Sequence, residues 1–203
     1  MGADHGTEAK DDVAAITAIL NEAGVSLRYI HSDAALAGIP SAFQDPRPAF
    51  DIADGADSIS ISGHKFIGSP MPCGIVLTRD SLRQRVTHSG KYTGSADSTI
   101  TGSRNGHTPL FMWYAIKRWG ESGFKKRAQD GAALASYTLD AMQRAGYEAW
   151  RNPDALTVVF KTPPQAIVNK WQLATYDGWS HLLCMPGITK AQIDAFIADL
   201  TAR

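Results

Sequence analysis

The sequence predicts an α/β protein: part of a large domain built on a mostly parallel sheet, followed by a small α+β domain at the C-terminal end. Three observations carry this reading. A helical period over residues 8–23 runs into a short apolar stretch at 27–35, which is one helix-to-strand step of a parallel sheet. A strictly alternating run, DSISIS at 57–62, is followed across a Gly/Pro bend by CGIVLTR at 73–79. A link that short makes the two strands antiparallel neighbours. From Gly146 onward the pattern changes to strand, strand, helix, so the expected domains are 1–145 and 146–203.

Each element has its own signal. In the first helix Val13, Ile16, Ile19 and Leu20 recur at three- and four-residue spacing, and Gly24 is the expected stop. The strand at 27–35 reads as short and buried, ending in polar residues. GIPSAFQDPRPAFD at 38–51 is punctuated by prolines and reads as a loop. In DSISIS, Ile59 and Ile61 share one face and the serines the other. RDSLRQRV at 79–86 is a short helix. The Gly/Ser/Thr-rich run at 87–109 has little periodicity, and a loop that long in a compact domain is usually functional or disordered. Residues 109–146 are helical in two pieces interrupted near 120–123, with the aromatics from Phe111 to Trp119 expected to pack on the core. ALTVVFKTP, SHLLCMP and TKAQIDAFIADL then give the strands and helix of the small domain. The chain opens on a helix with no strand before it, which leads us to expect the C-terminal part of a longer polypeptide.

Composition excludes several classes. Twenty basic residues balance twenty acidic ones, so broad electrostatic attraction to nucleic acid or an acidic membrane is not expected. No apolar run approaches the roughly 20 residues of a membrane helix. The polar start MGADHGTEAKDD is neither a signal nor a transit peptide, which points to the cytoplasm. Cys73 and Cys184 lie far apart without metal-ligand spacing and read as buried free thiols; no metal site is expected. His181, on an apolar strand, reads as a core residue.

The chemistry concentrates where DSISIS runs into SGHKFIGSP. Lysine is rarely buried, yet Lys65 closes an apolar strand just before a rigid bend. Such a position suits a Schiff-base lysine, although a solvated strand-end lysine has the same local sequence. HSDAALAG at 31–38 places Asp33 at the carboxyl end of the preceding strand, where open α/β sheets bind ligands. Asp33 alone reads equally as a cap or turn residue. Taken as a pair, the two fit pyridoxal phosphate. That cofactor needs a lysine for covalent attachment and a carboxylate to keep its ring nitrogen protonated. A small residue such as Ala35 lets a flat ring lie close to the backbone.

HSDAALAG, DSISISGHKFIGSPMPCGIVLTR and TITGSRNGHTPLFMW together closely resemble the group II pyridoxal-phosphate-dependent amino acid decarboxylases, in the branch of bacterial histidine decarboxylases and plant serine decarboxylases. The resemblance extends through TVVFKTP, KWQLA and the C-terminal helix. It implies fold type I of the pyridoxal-phosphate enzymes, a homodimer and a small amino acid substrate. It also implies the cofactor pyridoxal 5'-phosphate. By this resemblance Lys65 carries the cofactor and Asp33 pairs with its ring nitrogen. Ala35 packs on the cofactor face opposite the substrate, and His64 and Ser62 lie near its phosphate. Ser103 and Arg104 belong to a loop approaching the site, in some relatives from the partner subunit. The implied reaction is L-histidine to histamine and CO2. L-Serine to ethanolamine is the alternative, as is an inert remnant acting as a binding or dimerisation module. An aminotransferase of the same fold would need an arginine for a second carboxylate, a role open to Arg104 but opposed by SGHK. The family's N-terminal portion, with its ring-stacking residue and most of its phosphate cradle, has no counterpart in these 203 residues. Gly6 and Thr7 resemble an altered form of the family's Gly-Thr-Thr turn. LATYDGWSHLLCMPG departs from the family's more regular acidic stretch.

Overall fold

The computed structural model describes residues 6–89, 94–99 and 103–202. In chain order the elements are α1 (Val13–Glu22), β1 (His31–Asp33), α2 (Gly38–Ser41), β2 (Ser58–Ser62), β3 (Gly74–Thr78), α3 (Asp80–Val86), β4 (His88–Ser89), β5 (Ala96–Asp97), α4 (His107–Arg144), β6 (Ala149–Trp150), β7 (Thr157–Lys161), α5 (Gln165–Trp171), β8 (Thr175–Tyr176), β9 (Trp179–Leu183) and α6 (Lys190–Thr201).

The first sheet has the order β1-β2-β3, with β1 parallel to β2 and β3 antiparallel to it. The short link after Lys65 therefore joins antiparallel neighbours, as its length requires. Strand β1 is shorter than the apolar run suggests. It pairs on one side only among the described residues, and Leu27, just before it, is 96% exposed. Helix α1 also starts later than its period implies. Asp12 caps it by accepting from Ala15 N at 2.9 Å, and Glu8 lies outside it with φ +57°. The proline-rich stretch contains α2 and leads into a capped turn at Ile52–Asp54, to which Arg47 is tied through Asp54 at 3.0 Å, so it is more ordered than a plain loop. The 87–109 stretch includes the small β4–β5 hairpin.

Helix α4 breaks where the sequence places an interruption: Gly120 has φ 57° and ψ −173°. Its second half packs on a four-stranded antiparallel sheet of order β6-β7-β9-β8. The core there gathers Met142, Val158, Phe160, Cys184 and Phe196. The rings of Phe160 and Phe196 meet edge-on at 5.5 Å. A second core under the first sheet gathers Phe66, Ile67, Met112, Phe124 and Leu156. Both thiols are free, but Cys73 is only half-buried, whereas Cys184 is buried. His181 is half-buried on β9.

The expectation that the Phe111–Trp119 aromatics pack inward is overturned. Met112 is the buried residue of that turn, while Trp113 is 58% exposed and Tyr114, Ile116 and Leu110 are also exposed. One helix face holds the core contact, and among the described residues no element lies over the other. Trp119 is instead flanked by cations, with the Arg127 guanidinium 4.4 Å from its ring centre.

Candidate active site

The parallel register of β1 and β2 decides which side chains share a face. His31 lies opposite Ser58, Ser32 opposite Ile59, and Asp33 opposite Ser60. Side chains alternate along each strand, so His31 and Asp33 share one face with Ser58, Ser60 and Ser62. Ile59 and Ile61 point to the other face, where Ile61 packs on the second core. His31 Nδ1 lies 2.6 Å from Ser58 Oγ, and Ser60 Oγ donates to Asp33 Oδ1 at 3.3 Å.

The two strands stay together past their ends. Ala34 N donates to Ser60 O at 3.0 Å, and Ser62 N donates to Ala35 O at 3.1 Å. Ala35 N also donates to Asp33 Oδ1 at 3.1 Å. Asp33, Ala35 and Ser62 are thus brought together at one carboxyl edge of the sheet. Lys65 follows from the same edge, in the wide helical turn Gly63–Ile67. Its own φ of −88° and ψ of −109° interrupt that turn. The turn is closed by Ser69 N donating to Gly63 O at 2.9 Å and by Gly68 in the left-handed region at φ 86°.

The glycine of SGHK is set by packing. A Cβ on Gly63 would lie 2.5 Å from Cys73 Sγ and 2.7 Å from Met112 Sδ. Gly63→Ala is therefore expected to destabilise the fold by about 1–3 kcal/mol through overpacking, seen as a lower urea midpoint. Phe66 and Ile67, both buried, anchor the far side of the turn while Lys65 remains half-buried. His64 is exposed, and Cys73 N donates to its Nδ1 at 3.1 Å, leaving Nε2 as the ring's remaining polar atom.

Among the described residues, neither Asp33 Oδ2 nor the Lys65 amine has a hydrogen-bond or ion-pair partner. An open carboxylate oxygen at the end of β1 and an open amine in the turn after β2 are the acceptor and the nucleophile that pyridoxal phosphate requires. Asp33 also borders a depression between α1 and β1, lined by Lys10, Val13, Ile16, His31 and Phe50. Lys10 Nζ donates to Gln44 Oε1 at 2.8 Å, and burial pushes its pKa down.

Ser103 and Arg104 come from a different element, the exposed connection before α4. There Arg104 Nη1 donates to Thr99 Oγ1 at 2.7 Å. Asn105, in the same motif, lies two residues before α4 and ties to its first turn: its Oδ1 accepts from Thr108 N at 2.9 Å and from Thr108 Oγ1 at 2.8 Å. Sequence reasoning missed Ser60, although the DSISIS alternation already sets it on the serine face. It also missed Glu8. That carboxylate is buried against β7, where Oε2 accepts from Leu156 N, Thr157 N and Thr157 Oγ1.

Residues 5–162 match the pyridoxal-dependent decarboxylase conserved domain. The chain belongs to this family. Among decarboxylase relatives, the histidine decarboxylase of Mesorhizobium japonicum is 50% identical over 196 residues, covering 97% of this chain and 53% of that protein. The histidine decarboxylase of Vibrio campbellii is 44% identical over 193 residues, covering 94% of this chain and 50% of its own length. The chain therefore spans about half the length of the curated relatives it matches. The L-methionine decarboxylase of Streptomyces sp. 590 superposes with a TM-score of 0.82 at 27% identity, over 98% of this chain and 52% of that one. Glutamate decarboxylase of Lactobacillus brevis matches the fold equally well, with a TM-score of 0.82 at 20% identity, over 97% of this chain and 52% of that one. The architecture is that of the decarboxylases of fold type I. No helix among the described residues is long and apolar enough to cross a membrane.

Proposed function

We propose that this chain supplies the lysine- and aspartate-bearing part of a pyridoxal-phosphate-dependent decarboxylase that converts L-histidine to histamine and CO2. The observation that supports the reading is Asp33 at the carboxyl end of β1 and Lys65 in the turn that follows its parallel neighbour β2. When bound, pyridoxal phosphate supplies an electron sink for the electrons left at Cα as CO2 departs. The residues of the chain would supply part of what remains. Lys65 would hold the cofactor covalently through its amine, the group that a substrate amine must displace. Asp33 keeps a proton on the ring nitrogen, which a neutral residue would not do. Ala35 would leave room for the ring, and His64 and Ser62 would lie near its phosphate. Identity to histidine decarboxylases supports histidine over serine.

In this reading residues 1–145 belong to the cofactor domain and 146–203 form the small domain, in a cytoplasmic homodimer. The apolar face of α4, with Leu110, Trp113 and Tyr114 exposed among the described residues, favours such an assembly. Ser103 and Arg104, leading into that helix, then approach the partner's site. The same exposed face would serve an inert dimerisation module.

Borohydride reduction of the protein incubated with pyridoxal phosphate, followed by peptide mapping, separates the readings. The expected result is a pyridoxyl group on Lys65, together with CO2 release from carboxyl-labelled L-histidine exceeding that from L-serine. A Lys65 peptide that stays unmodified refutes the cofactor assignment. A labelled Lys65 without CO2 release refutes decarboxylation alone.

A further inference from the structure

The carboxylate of Asp33 is held on one oxygen only. Oδ1 takes the Ala35 N–H at 3.1 Å and the Ser60 hydroxyl at 3.3 Å, while Oδ2 has no partner among the described residues. The two donors come from different places. Ala35 N–H belongs to the turn that follows Asp33 itself. Ser60 belongs to the neighbouring strand and stands opposite Asp33 in the register. The last torsion of an aspartate is broad and roughly two-fold, so one local hydrogen bond secures an oxygen without securing the plane of the carboxylate. A second donor from a rigid neighbouring strand removes that freedom. The same device recurs one step back, where Ser58 Oγ lies 2.6 Å from His31 Nδ1.

We propose that Ser60 is a positioning residue for Asp33, turning Oδ2 outward to meet the ring nitrogen of bound pyridoxal phosphate. This rests on the cofactor reading above and assigns a role to a residue that neither motif nor resemblance singled out. Preorganised acceptors of this kind act by being aimed before the ligand arrives, so the loss of Ser60 is felt where the ring nitrogen is and nowhere else.

The test compares pyridoxal phosphate with an analogue in which the ring nitrogen is replaced by carbon. Both keep the aldehyde and the phosphate. Equilibrium dialysis measures both dissociation constants for the wild type, Ser60→Ala and Ser60→Thr. The threonine keeps the hydroxyl and suits a strand position on this open face. The wild type is expected to prefer pyridoxal phosphate. Ser60→Ala is expected to weaken pyridoxal phosphate about tenfold, the scale of a lost hydrogen bond to a charged group, and to leave the analogue unchanged. Ser60→Thr is expected to restore the preference. Equal weakening of both ligands by Ser60→Ala, or of neither, overturns the positioning role. A wild type that binds the two ligands equally overturns the Asp33 assignment itself, and with it the proposal.

Discussion

Lys65→Arg is expected to abolish covalent capture of pyridoxal phosphate while leaving the fold intact. Arginine keeps the positive charge and most of the length, but its guanidinium stays protonated and offers no free electron pair to an aldehyde. The structural cost is small because Lys65 is half-buried and makes no ion pair or hydrogen bond among the described residues. A change in stability within about 0.5 kcal/mol is expected, as for other positions without a specific partner. Loss of the reduced adduct at position 65, with an unchanged urea midpoint, is the combination that separates a chemical from a structural lysine. Lysines elsewhere serve as internal controls. Lys126 and Lys170 are occupied by Asp130 and Asp199, each at 2.7 Å, and their labelling should not respond to the substitution. Should the variant shift label to a neighbouring lysine with undiminished yield, Lys65 is not the attachment point.

How far the site was legible in the sequence depends on whether its geometry is local. The positions of Asp33 and Lys65 were legible because Asp33 ends β1 and Lys65 follows β2 by three residues, and strand ends are written in nearby residues: the DSISIS alternation, the Gly/Pro bend, the alanines after Asp33. The break at Gly120 was legible for the same reason, since a glycine near the middle of a long helical period is itself the signal. What failed was non-local. Leu27 and Tyr29 read as a buried strand because they are apolar, yet both are exposed beside a strand that has one neighbour among the described residues. Trp113 and Tyr114 lie on the same amphipathic helix as buried Met112, and periodicity alone does not say which face another element will cover. Ser60 required knowing that β1 and β2 run parallel with Asp33 beside it.

Glu8 is the clearest non-local case, and Glu8→Ala is expected to be among the most damaging substitutions to stability. Its sequence neighbours place it in a helix, but its partners lie 148 and 149 positions away. The side chain is 3% exposed, and Oε2 accepts from Leu156 N at 2.8 Å, Thr157 N at 2.9 Å and Thr157 Oγ1 at 2.8 Å. Next to it, Asn152 Nδ2 donates to Thr7 O at 3.0 Å, so the segment before α1 is fastened both to the start of β7 and to the connection that leads into it. Alanine leaves two buried backbone N–H groups without an acceptor. At about 1–3 kcal/mol for each unsatisfied group, a loss of about 3–5 kcal/mol is expected in urea unfolding. Glu8→Gln behaves differently, because its carbonyl oxygen can take the same three donors. The comparison also has a pH signature. Burial raises the Glu8 pKa above its usual 4.5, outweighing the Thr157 hydroxyl, Lys10 and the two N–H donors that lower it. A carboxyl with a raised folded pKa contributes stability fully below the unfolded value, and that contribution is lost as pH rises through the folded pKa. Wild type should therefore lose stability relative to Glu8→Gln on going from acid to neutral pH. Melts in which wild type instead gains on the glutamine variant over that range would mean that attraction to Lys10 and the N–H donors, rather than desolvation, governs this carboxylate.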